Sequence, residues 1–354
     1  MTNVSDNDLY ATLSLKDQAR FKIMEEVRAG YVSTPRDDDV QQGIVFLIER
    51  MLSLAHPGTP AIGDFRPEAR ALVVVGKSGA GKTTILQRNF KENPAFPHYG
   101  TPSANLISIR VPRPCSLKQL GQILLKELGY PLKADRKEHV IWALARDKLQ
   151  MMGVRFVHFD EIQNITTTAN RLEAIRINDS LKTFLNDPHD PIALILSGLP
   201  EIAGFLTQDP QIRRRARFIT LASMTPEDFP PFHDNCFVDQ AKIAGLATPR
   251  DAISTIIPRI VHAATYQLGM AIEMVQEAIN LALQAETGSL TLRHFADLWG
   301  LRTGSAATEN PFVAPNWHDS DCEAVLQGFD APTDEIVEPP PKPRTYKKVK
   351  RADY

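Results

Sequence analysis

Hydrophobic residues form short runs that alternate with stretches of helical periodicity across the middle of the chain. The runs cover residues 71–75, 106–111, 156–159, 192–196 and 218–221. Apolar residues recur at helical spacing in residues 83–90, 117–128, 140–151 and 171–186. Short apolar runs separated by helices are typical of parallel strands, because each crossover places a helix against the sheet. The pattern therefore predicts an α/β fold with a parallel sheet sandwiched by helices.

The same pattern divides the chain into four regions. Residues 1–66 are expected to be helical, with residues 31–36 as an extended linker because the residue before a proline avoids helical backbone angles. Residues 67–224 form the predicted α/β core. Residues 225–302 show only helical periodicity, which predicts an α-helical lid subdomain. Residues 303–354 are rich in proline and charge, so they are expected to be a largely disordered tail with a basic tip.

Composition excludes few function classes. The chain has 354 residues, which suggests about two domains with appendages. A formal net charge of −2 argues against a protein that is basic on every face, but it is compatible with a local basic patch. The three cysteines lack metal-binding spacing and are expected to be reduced thiols in the cytoplasm. The sequence has neither the pattern of a signal peptide nor an apolar run that could span a bilayer, so no membrane contact is expected.

A glycine-rich motif that matches G-x-x-x-x-G-K-[ST] in full follows the first predicted strand and opens a predicted helix. It consists of Gly76, Lys77, Ser78, Gly79, Ala80, Gly81, Lys82 and Thr83. Glycines let backbone N–H groups surround phosphate oxygens, and the helix start adds favourable partial charge. Lys82 is expected to reach the β- and γ-phosphates of ATP, and the Thr83 hydroxyl to ligate Mg²⁺. Thr84 is expected to assist at the α-phosphate.

The third predicted strand ends in two adjacent carboxylates, Asp160 and Glu161. Asp160 is expected to hold Mg²⁺, directly or through water, and Glu161 to polarise the attacking water as general base. Alone, such a strand end would indicate only a solvated acidic turn, but together with the phosphate loop it predicts ATP hydrolysis. His158, inside the strand, is interpreted as a hydrogen-bonded core histidine rather than a catalytic one.

Two further elements are compatible with a catalytic role. Ser197 ends the fourth predicted strand, and ligands bind at the carboxyl ends of parallel strands, so its hydroxyl is expected to orient the water or touch the γ-phosphate. A plain strand-end turn is the alternative. A cluster of four arginines lies just before the fifth predicted strand, and Arg214 or Arg215 is expected to stabilise transition-state charge in a neighbouring subunit. A solvated or DNA-facing charge cluster is the alternative there.

Basic residues also follow the second predicted strand. Arg110, Arg113 and Lys118 are expected to contact DNA phosphates, which would make binding dependent on salt and largely independent of sequence. Positive charge that serves only solubility is the alternative. The basic tip at residues 347–351 is expected to bind DNA or an acidic partner, unless it is simply a solvated chain end.

The order of these elements resembles the AAA+ ATPases, and more narrowly the TniB/TnsC-type transposition ATPases. The stretches that carry the resemblance are YVSTPR at residues 31–36, VVGKSGAGKTTIL at 74–86, HFDEIQN at 158–164, LSGLP at 196–200 and NPF at 310–312. The phosphate loop alone is shared by very many ATPases, whereas HFDEIQN and LSGLP narrow the choice. The resemblance covers residues 15–315, approximately.

The resemblance implies an ATPase that assembles with ATP into a homo-oligomeric ring or filament on duplex DNA. It also implies a role in choosing the target site and in recruiting a DDE transposase together with a target-selection protein. ATP binding would favour assembly and hydrolysis would favour release. One departure is that residues 268–273, where many AAA+ proteins carry a nucleotide-sensing arginine in the lid, contain none. Hydrolysis is therefore expected to be slow.

Two other hypotheses stay open. One is a different AAA+ enzyme associated with DNA, such as a replicative helicase loader, and a neighbouring transposase gene would argue against it. The other is a nucleotide-gated interaction module with little hydrolysis, which the missing lid arginine favours. Turnover clearly above that of Glu161→Gln would remove the module hypothesis.

Overall fold

A parallel sheet forms the centre of the computed structural model, which describes residues 6–55, 69–166, 171–185 and 191–330. The strands are β1 (Ala71–Val75), β2 (Leu106–Arg110), β3 (Phe156–Asp160), β4 (Ala193–Gly198) and β5 (Ala216–Thr220). In the described residues these five strands have the order β2-β3-β4-β1-β5. Every neighbouring pair is parallel, which confirms the predicted sheet.

Burial along the strands follows their place in the sheet. Every residue of β1, β3 and β4 is buried, because each of these strands has neighbours on both sides and is enclosed by helices. The edge strands β2 and β5 are only partly buried. The register aligns Val75 with Gly198 and Arg110 with Asp160, so the carboxyl ends of the strands meet at one edge.

Ten helices precede the sheet or connect its strands in the described residues. They are α1 (Asp6–Ala11), α2 (Leu15–Ala29), α3 (Pro35–Ala55), α4 (Lys82–Glu92), α5 (Leu117–Glu127), α6 (Glu138–Met151), α7 (Gln163–Thr166), α8 (Arg171–Leu185), α9 (Glu201–Thr207) and α10 (Pro210–Arg215). Side-chain capping fixes where α5 and α10 begin. Ser116 and Gln119 exchange side-chain to main-chain hydrogen bonds at the start of α5, and the Asp209 side chain accepts from two N–H groups at the start of α10.

A second hydrophobic core lies in the helical region from residue 225 to residue 303, called the lid below. Its helices are α11 (Phe229–Phe232), a π-helix (His233–Val238), α12 (Asp239–Ile243), α13 (Ala252–Thr255), α14 (Ile257–Ala263), α15 (Leu268–Gln284) and α16 (Leu292–Thr303). Phe237, Phe295 and Trp299 are fully buried at its centre. The lid therefore has a core of its own, distinct from that of the sheet.

The N-terminal helices divide between these two cores. Met24 and Val27 of α2 belong to the core of the lid, whereas Ile44 and Leu47 of α3 belong to the core of the sheet. Residues 30–34 therefore connect α2, which packs in the lid, to α3, which packs against the sheet. This linker is shorter than predicted because α3 already begins at its proline, a residue that suits the first turn of a helix.

The structure corrects the predicted disordered tail for residues 303–330. Phe312 is buried in the lid, with its ring centroid 5.6 Å from that of Phe295. Arg259 of the lid donates hydrogen bonds to two main-chain carbonyl oxygens of this segment. Helix α17 (Cys322–Asp330) follows. Isolated apolar residues in a polar, proline-rich stretch have no periodicity, so the sequence pattern missed this packing.

The basic tip at residues 347–351 lies outside the described residues, so its contact with DNA or an acidic partner stays a prediction. Within the described part of the chain, no helix combines the length and the apolar character needed to span a membrane.

Candidate nucleotide-binding site

The phosphate loop lies between the end of β1 and the start of α4, at the edge where the strands end. Gly79 and Gly81 have φ angles of 76° and 90°, in the left-handed region that glycine adopts readily and other residues avoid. Gly81 directly precedes α4, so the free N–H groups of the first turn of this helix lie beside the loop. This arrangement suits a phosphate group.

Lys82 is buried inside this loop. Its Nζ donates to the carbonyl oxygens of Gly76 at 2.7 Å and Lys77 at 3.0 Å. Burial lowers the pKa of Lys82 from its ordinary value, while the carboxylates of Glu161 and Asp160 oppose this shift. The loop therefore holds the amine at its centre, near the two acidic side chains.

Thr83 and Asp160 form the centre of the predicted metal site. Thr83 Oγ1 donates to Asp160 Oδ2 at 2.7 Å. Hydroxyl and carboxylate oxygens are ligands that Mg²⁺ prefers, and Mg²⁺ bound with a nucleotide takes only one or two carboxylate ligands from the protein. In the described residues no cluster of three or more His, Cys, Asp or Glu side chains is placed to hold a metal. The pair fits Mg²⁺ that arrives with a nucleotide.

Glu161, the predicted general base, is held by a residue that sequence reasoning missed. Its backbone has a φ angle of 57°, and its N–H donates to Asp160 Oδ1 at 3.0 Å. Gln163 Nε2 donates to Glu161 Oε2, and Gln163 Oε1 accepts from the N–H of Leu199 at 3.2 Å. Gln163 therefore connects the segments that follow β3 and β4. The HFDEIQN stretch contains it, but no rule of spacing assigned it a role.

Ser197 has different neighbours from those predicted. Its side chain is fully buried, and its Oγ donates to Asp160 Oδ1 at 2.5 Å. His158 Nε2 lies 2.8 Å from the same hydroxyl oxygen. The expectation that Ser197 orients the attacking water or touches the γ-phosphate stays a prediction. In this structure its hydroxyl contacts Asp160, the predicted metal ligand.

His158 is a buried, hydrogen-bonded core residue, as predicted. Its Nδ1 lies 2.8 Å from Ser108 Oγ, and its ring packs edge-on against Phe90 with centroids 5.2 Å apart. Burial lowers the pKa of His158 to about 4, opposed by the carboxylate of Asp160, so the ring is neutral at pH 7.

The arginine cluster divides by burial. Arg213 and Arg214 are exposed, whereas Arg215 is only 6% exposed. Arg215 lies three residues after the buried Ile212 in α10, so the two share the inward face of the helix. The expectation that Arg214 or Arg215 acts in a neighbouring subunit stays a prediction, and of the two Arg214 is the exposed one. Arg217 lies inside β5, which begins earlier than predicted.

The residues predicted to contact DNA are not equivalent. Arg110 ends β2 next to Asp160 and is exposed, as is Arg113 in the loop that follows. Lys118 in the first turn of α5 forms an ion pair with Asp135 at 2.6 Å, which offsets its charge. Arg110 and Arg113 are therefore better placed than Lys118 to bind phosphate groups.

A cavity of about 380 Å³ adjoins the phosphate loop on the side of the lid. Four parts of the chain line it: the segment between α2 and α3, the start of α4, Leu221 after β5 and the first turns of α15. Thr84, predicted at the α-phosphate, is among the lining residues. No motif marks this cavity, although YVSTPR, which carries part of the resemblance, forms one of its walls.

Tyr31 is fixed at the wall of this cavity by two charged neighbours. Its hydroxyl donates to Asp37 Oδ1, and the guanidinium of Arg88 lies 3.7 Å from the centre of its ring. Asp37 Oδ2 also accepts from the N–H and the hydroxyl of Thr34, at 2.8 and 3.0 Å. Asp37 thus ties the linker between the lid and the sheet to the start of α3.

The lid contacts the phosphate loop through its main chain. The N–H of Met270, in the first turn of α15, donates to the carbonyl oxygen of Gly79 at 3.1 Å. A Cβ atom at Gly269 would lie 2.6 Å from that oxygen, so only glycine permits this approach. The structure therefore has a direct main-chain contact in the stretch where a lid arginine is missing.

The parallel sheet, the phosphate loop after β1, the acidic pair after β3 and the helical lid define a P-loop nucleotide-binding protein with the AAA+ fold. The family described as "TniB: Bacterial TniB protein" matches residues 62–225. Over this stretch the chain is similar to the TniB family. No curated protein matches the chain by sequence.

Solved structures share the fold. The Aeropyrum pernix ORC1 protein in complex with DNA has a TM-score of 0.54 and 11% identity, over 77% of this chain and 67% of that chain. The Aeropyrum pernix ORC2 protein has a TM-score of 0.54 and 16% identity, over 82% and 74%. Cdc6p from Pyrobaculum aerophilum has a TM-score of 0.52 and 17% identity, over 85% and 83%. At these identities the likeness concerns the fold alone.

Proposed function

We propose that this chain is an ATPase that binds Mg·ATP between its core and its lid and uses it to control assembly on duplex DNA during transposition. The observation that carries the proposal is the hydrogen bond of 2.7 Å between Thr83 and Asp160, with Lys82 and Glu161 beside it. These four side chains, brought together from two motifs, are what a P-loop site needs for phosphate binding and hydrolysis.

Each of these residues has a distinct task in this proposal. Lys82 exchanges its main-chain oxygen partners for the β- and γ-phosphate oxygens of ATP. Thr83 and Asp160 hold Mg²⁺, which when bound offsets the negative charge that develops on the phosphates. Glu161 polarises the attacking water, and the hydrogen bond from Gln163 orients its carboxylate. Because residues 268–273 contain no lid arginine, slow turnover is expected.

The base of ATP is assigned to the cavity beside Tyr31. This cavity adjoins the phosphate loop and is closed by the first turns of α15, so a bound nucleotide would contact sheet, linker and lid together. A ligand that contacts both units favours the arrangement in which they are closed. This gives ATP a physical means to control the shape of the subunit.

Assembly and DNA binding are supported by charged surfaces. Arg214 is exposed in the last turn of α10 and is proposed to complete the site of a neighbouring subunit in a ring or filament. Arg110 and Arg113 are proposed to contact DNA phosphates. The TniB family supports a role in transposition, in which the assembly marks the target site and recruits a DDE transposase and a target-selection protein.

Electron microscopy of the full chain with duplex DNA and a slowly hydrolysed ATP analogue tests the proposal. Nucleotide-dependent rings or filaments on DNA are expected with the unchanged chain and not with Lys82→Ala, which removes the phosphate-binding amine. An unchanged chain that forms no nucleotide-dependent oligomer on DNA would contradict the proposal.

A nucleotide-gated interaction module with little hydrolysis is the second candidate, favoured by the missing lid arginine. Phosphate release by the assembled chain on DNA separates the two. Turnover no higher than that of Glu161→Gln would favour the module.

A further inference from the structure

A line of polar side chains, half-buried at Ser108 and buried from His158 onward, crosses three adjacent strands and ends at Asp160. Ser108 lies opposite His158 in the register of β2 and β3, and Ser197 lies at the end of the next strand, β4. His158 is 1% exposed and Ser197 is 0% exposed. Burying polar groups costs free energy unless each finds a partner, and here each one does.

The donors and acceptors along this line have only one consistent direction. An ionised carboxylate only accepts, so the single proton of Ser197 is donated to Asp160 Oδ1 at 2.5 Å. Ser197 Oγ must then accept from His158 Nε2, 2.8 Å away. A neutral imidazole with its proton on Nε2 accepts at Nδ1, which takes the hydroxyl proton of Ser108 at 2.8 Å.

Packing fixes the imidazole in this orientation. Phe90 lies edge-on to the His158 ring, and Phe90 itself packs against Phe96 and Tyr99 with centroids 5.7 and 5.4 Å away. Phe90 belongs to α4, the helix that also carries Thr83. The ring therefore cannot turn away without displacing side chains that pack against the phosphate-binding helix.

We propose that His158 is a positioning residue for the metal-binding carboxylate of Asp160, and that it acts through the hydroxyl of Ser197. The inference rests on the proposed function, since it concerns the same Mg²⁺ site. Thr83 orients one carboxylate oxygen and Ser197 the other, and the His158 Nε2–H keeps the Ser197 hydroxyl proton pointed at Asp160. The carboxylate is thus set for Mg²⁺ before the metal arrives.

A set of variants tests this through Mg²⁺ binding rather than through turnover. His158→Phe keeps a ring of similar size but removes both hydrogen bonds. His158→Gln retains a side-chain N–H that can reach Ser197. Ser197→Ala removes the hydroxyl through which His158 acts. For each variant, the fluorescence of a bound ATP analogue gives the Mg²⁺ concentration that half-saturates the site, and affinity without Mg²⁺ is measured in parallel.

His158→Phe is expected to raise the half-saturating Mg²⁺ concentration about tenfold, the cost of roughly one lost hydrogen bond in a buried site. Affinity for the analogue without Mg²⁺ should change little, and His158→Gln should recover most of the loss. In a Ser197→Ala background, His158→Phe should have no further effect. Additive losses, or an equal loss of affinity without Mg²⁺, would mean that His158 only fills the core, and would overturn the proposal.

A spectroscopic measurement on the unchanged chain covers the case in which His158→Phe or Ser197→Ala does not fold. The ¹⁵N chemical shifts of the imidazole, assigned by their disappearance in His158→Gln, should show the proton on Nε2. A proton on Nδ1 would overturn the proposal, because His158 would then accept from Ser197 rather than donate to it. If the tautomer is as expected but the unchanged chain binds no Mg·ATP, the proposed function fails while the hydrogen-bonded line stands.

Discussion

The phosphate side and the base side of the site are built in different ways. Lys82, Thr83, Asp160 and Glu161 come from two short motifs at the ends of β1 and β3, two strands that share one hydrophobic core. The base side is assembled from Tyr31 on the linker, the start of α4 and the lid, which has a separate core. This difference implies that the hydrolytic groups are held within the core around the sheet. Retention of the nucleotide depends instead on the contact between that core and the lid.

Glu161→Gln should have the largest effect of these variants. It should greatly reduce ATP hydrolysis and leave ATP binding nearly unchanged. The amide cannot accept a proton from the attacking water, so kcat should fall by about 10²–10⁴-fold. Affinity for ATP should remain within about twofold, because this contact acts mainly in the transition state. Phosphate release and equilibrium binding of a fluorescent ATP analogue measure the two. Glu127→Gln, at the exposed end of α5, is the matched control. Equal losses in turnover and binding would contradict the division of tasks.

Gly269→Ala tests the contact between the lid and the loop, and the expected effect is smaller. The new Cβ would lie 2.6 Å from the Gly79 carbonyl oxygen, so the lid must shift away. ATP binding should weaken about tenfold, the equivalent of a modest steric cost in a packed contact. Equilibrium binding of the fluorescent analogue measures this loss.

The matched control is Gly300→Ala in α16, where a Cβ meets nothing within 4 Å. It should leave affinity unchanged and raise the melting temperature slightly, since alanine favours a helix. Unchanged ATP affinity in Gly269→Ala would show that the lid contact does not retain the nucleotide.

Tyr31→Ala should give the smallest effect, confined to the base side. Loss of the ring and of its contact with Arg88 should weaken ATP binding about two- to fivefold, with kcat nearly unchanged at saturation. Tyr130→Ala is the matched control. Lys148 Nζ lies 3.9 Å from the centre of the Tyr130 ring, but Tyr130 does not line the cavity. A large fall in kcat for Tyr31→Ala would remove the distinction between the two sides.

The same comparison explains what could be predicted from the sequence. The phosphate loop and the acidic pair are contiguous motifs, and parallel strands bring their carboxyl ends together, so the contact between Thr83 and Asp160 follows from local pattern and topology. The cavity beside Tyr31 joins segments more remote in sequence. Its shape depends on how the lid packs, which no local pattern encodes.

Contacts that depend on the orientation of a side chain were not predicted from the sequence. Ser197 ends its strand as predicted, but its partner His158 on the neighbouring strand turns the hydroxyl toward Asp160. In the cluster of four arginines, the position of each residue around the short helix α10 decides which one faces inward. Arg215 lies on the same side of the helix as Ile212. The composition of the cluster does not reveal that position.

The decisive measurement is a structure of the chain determined by cryo-electron microscopy with Mg²⁺ and a slowly hydrolysed ATP analogue. We expect the triphosphate on the loop beside Lys82, Mg²⁺ at Thr83 and Asp160, and the base in the cavity beside Tyr31. A base bound outside that cavity, or Mg²⁺ held without Asp160, would contradict this expectation.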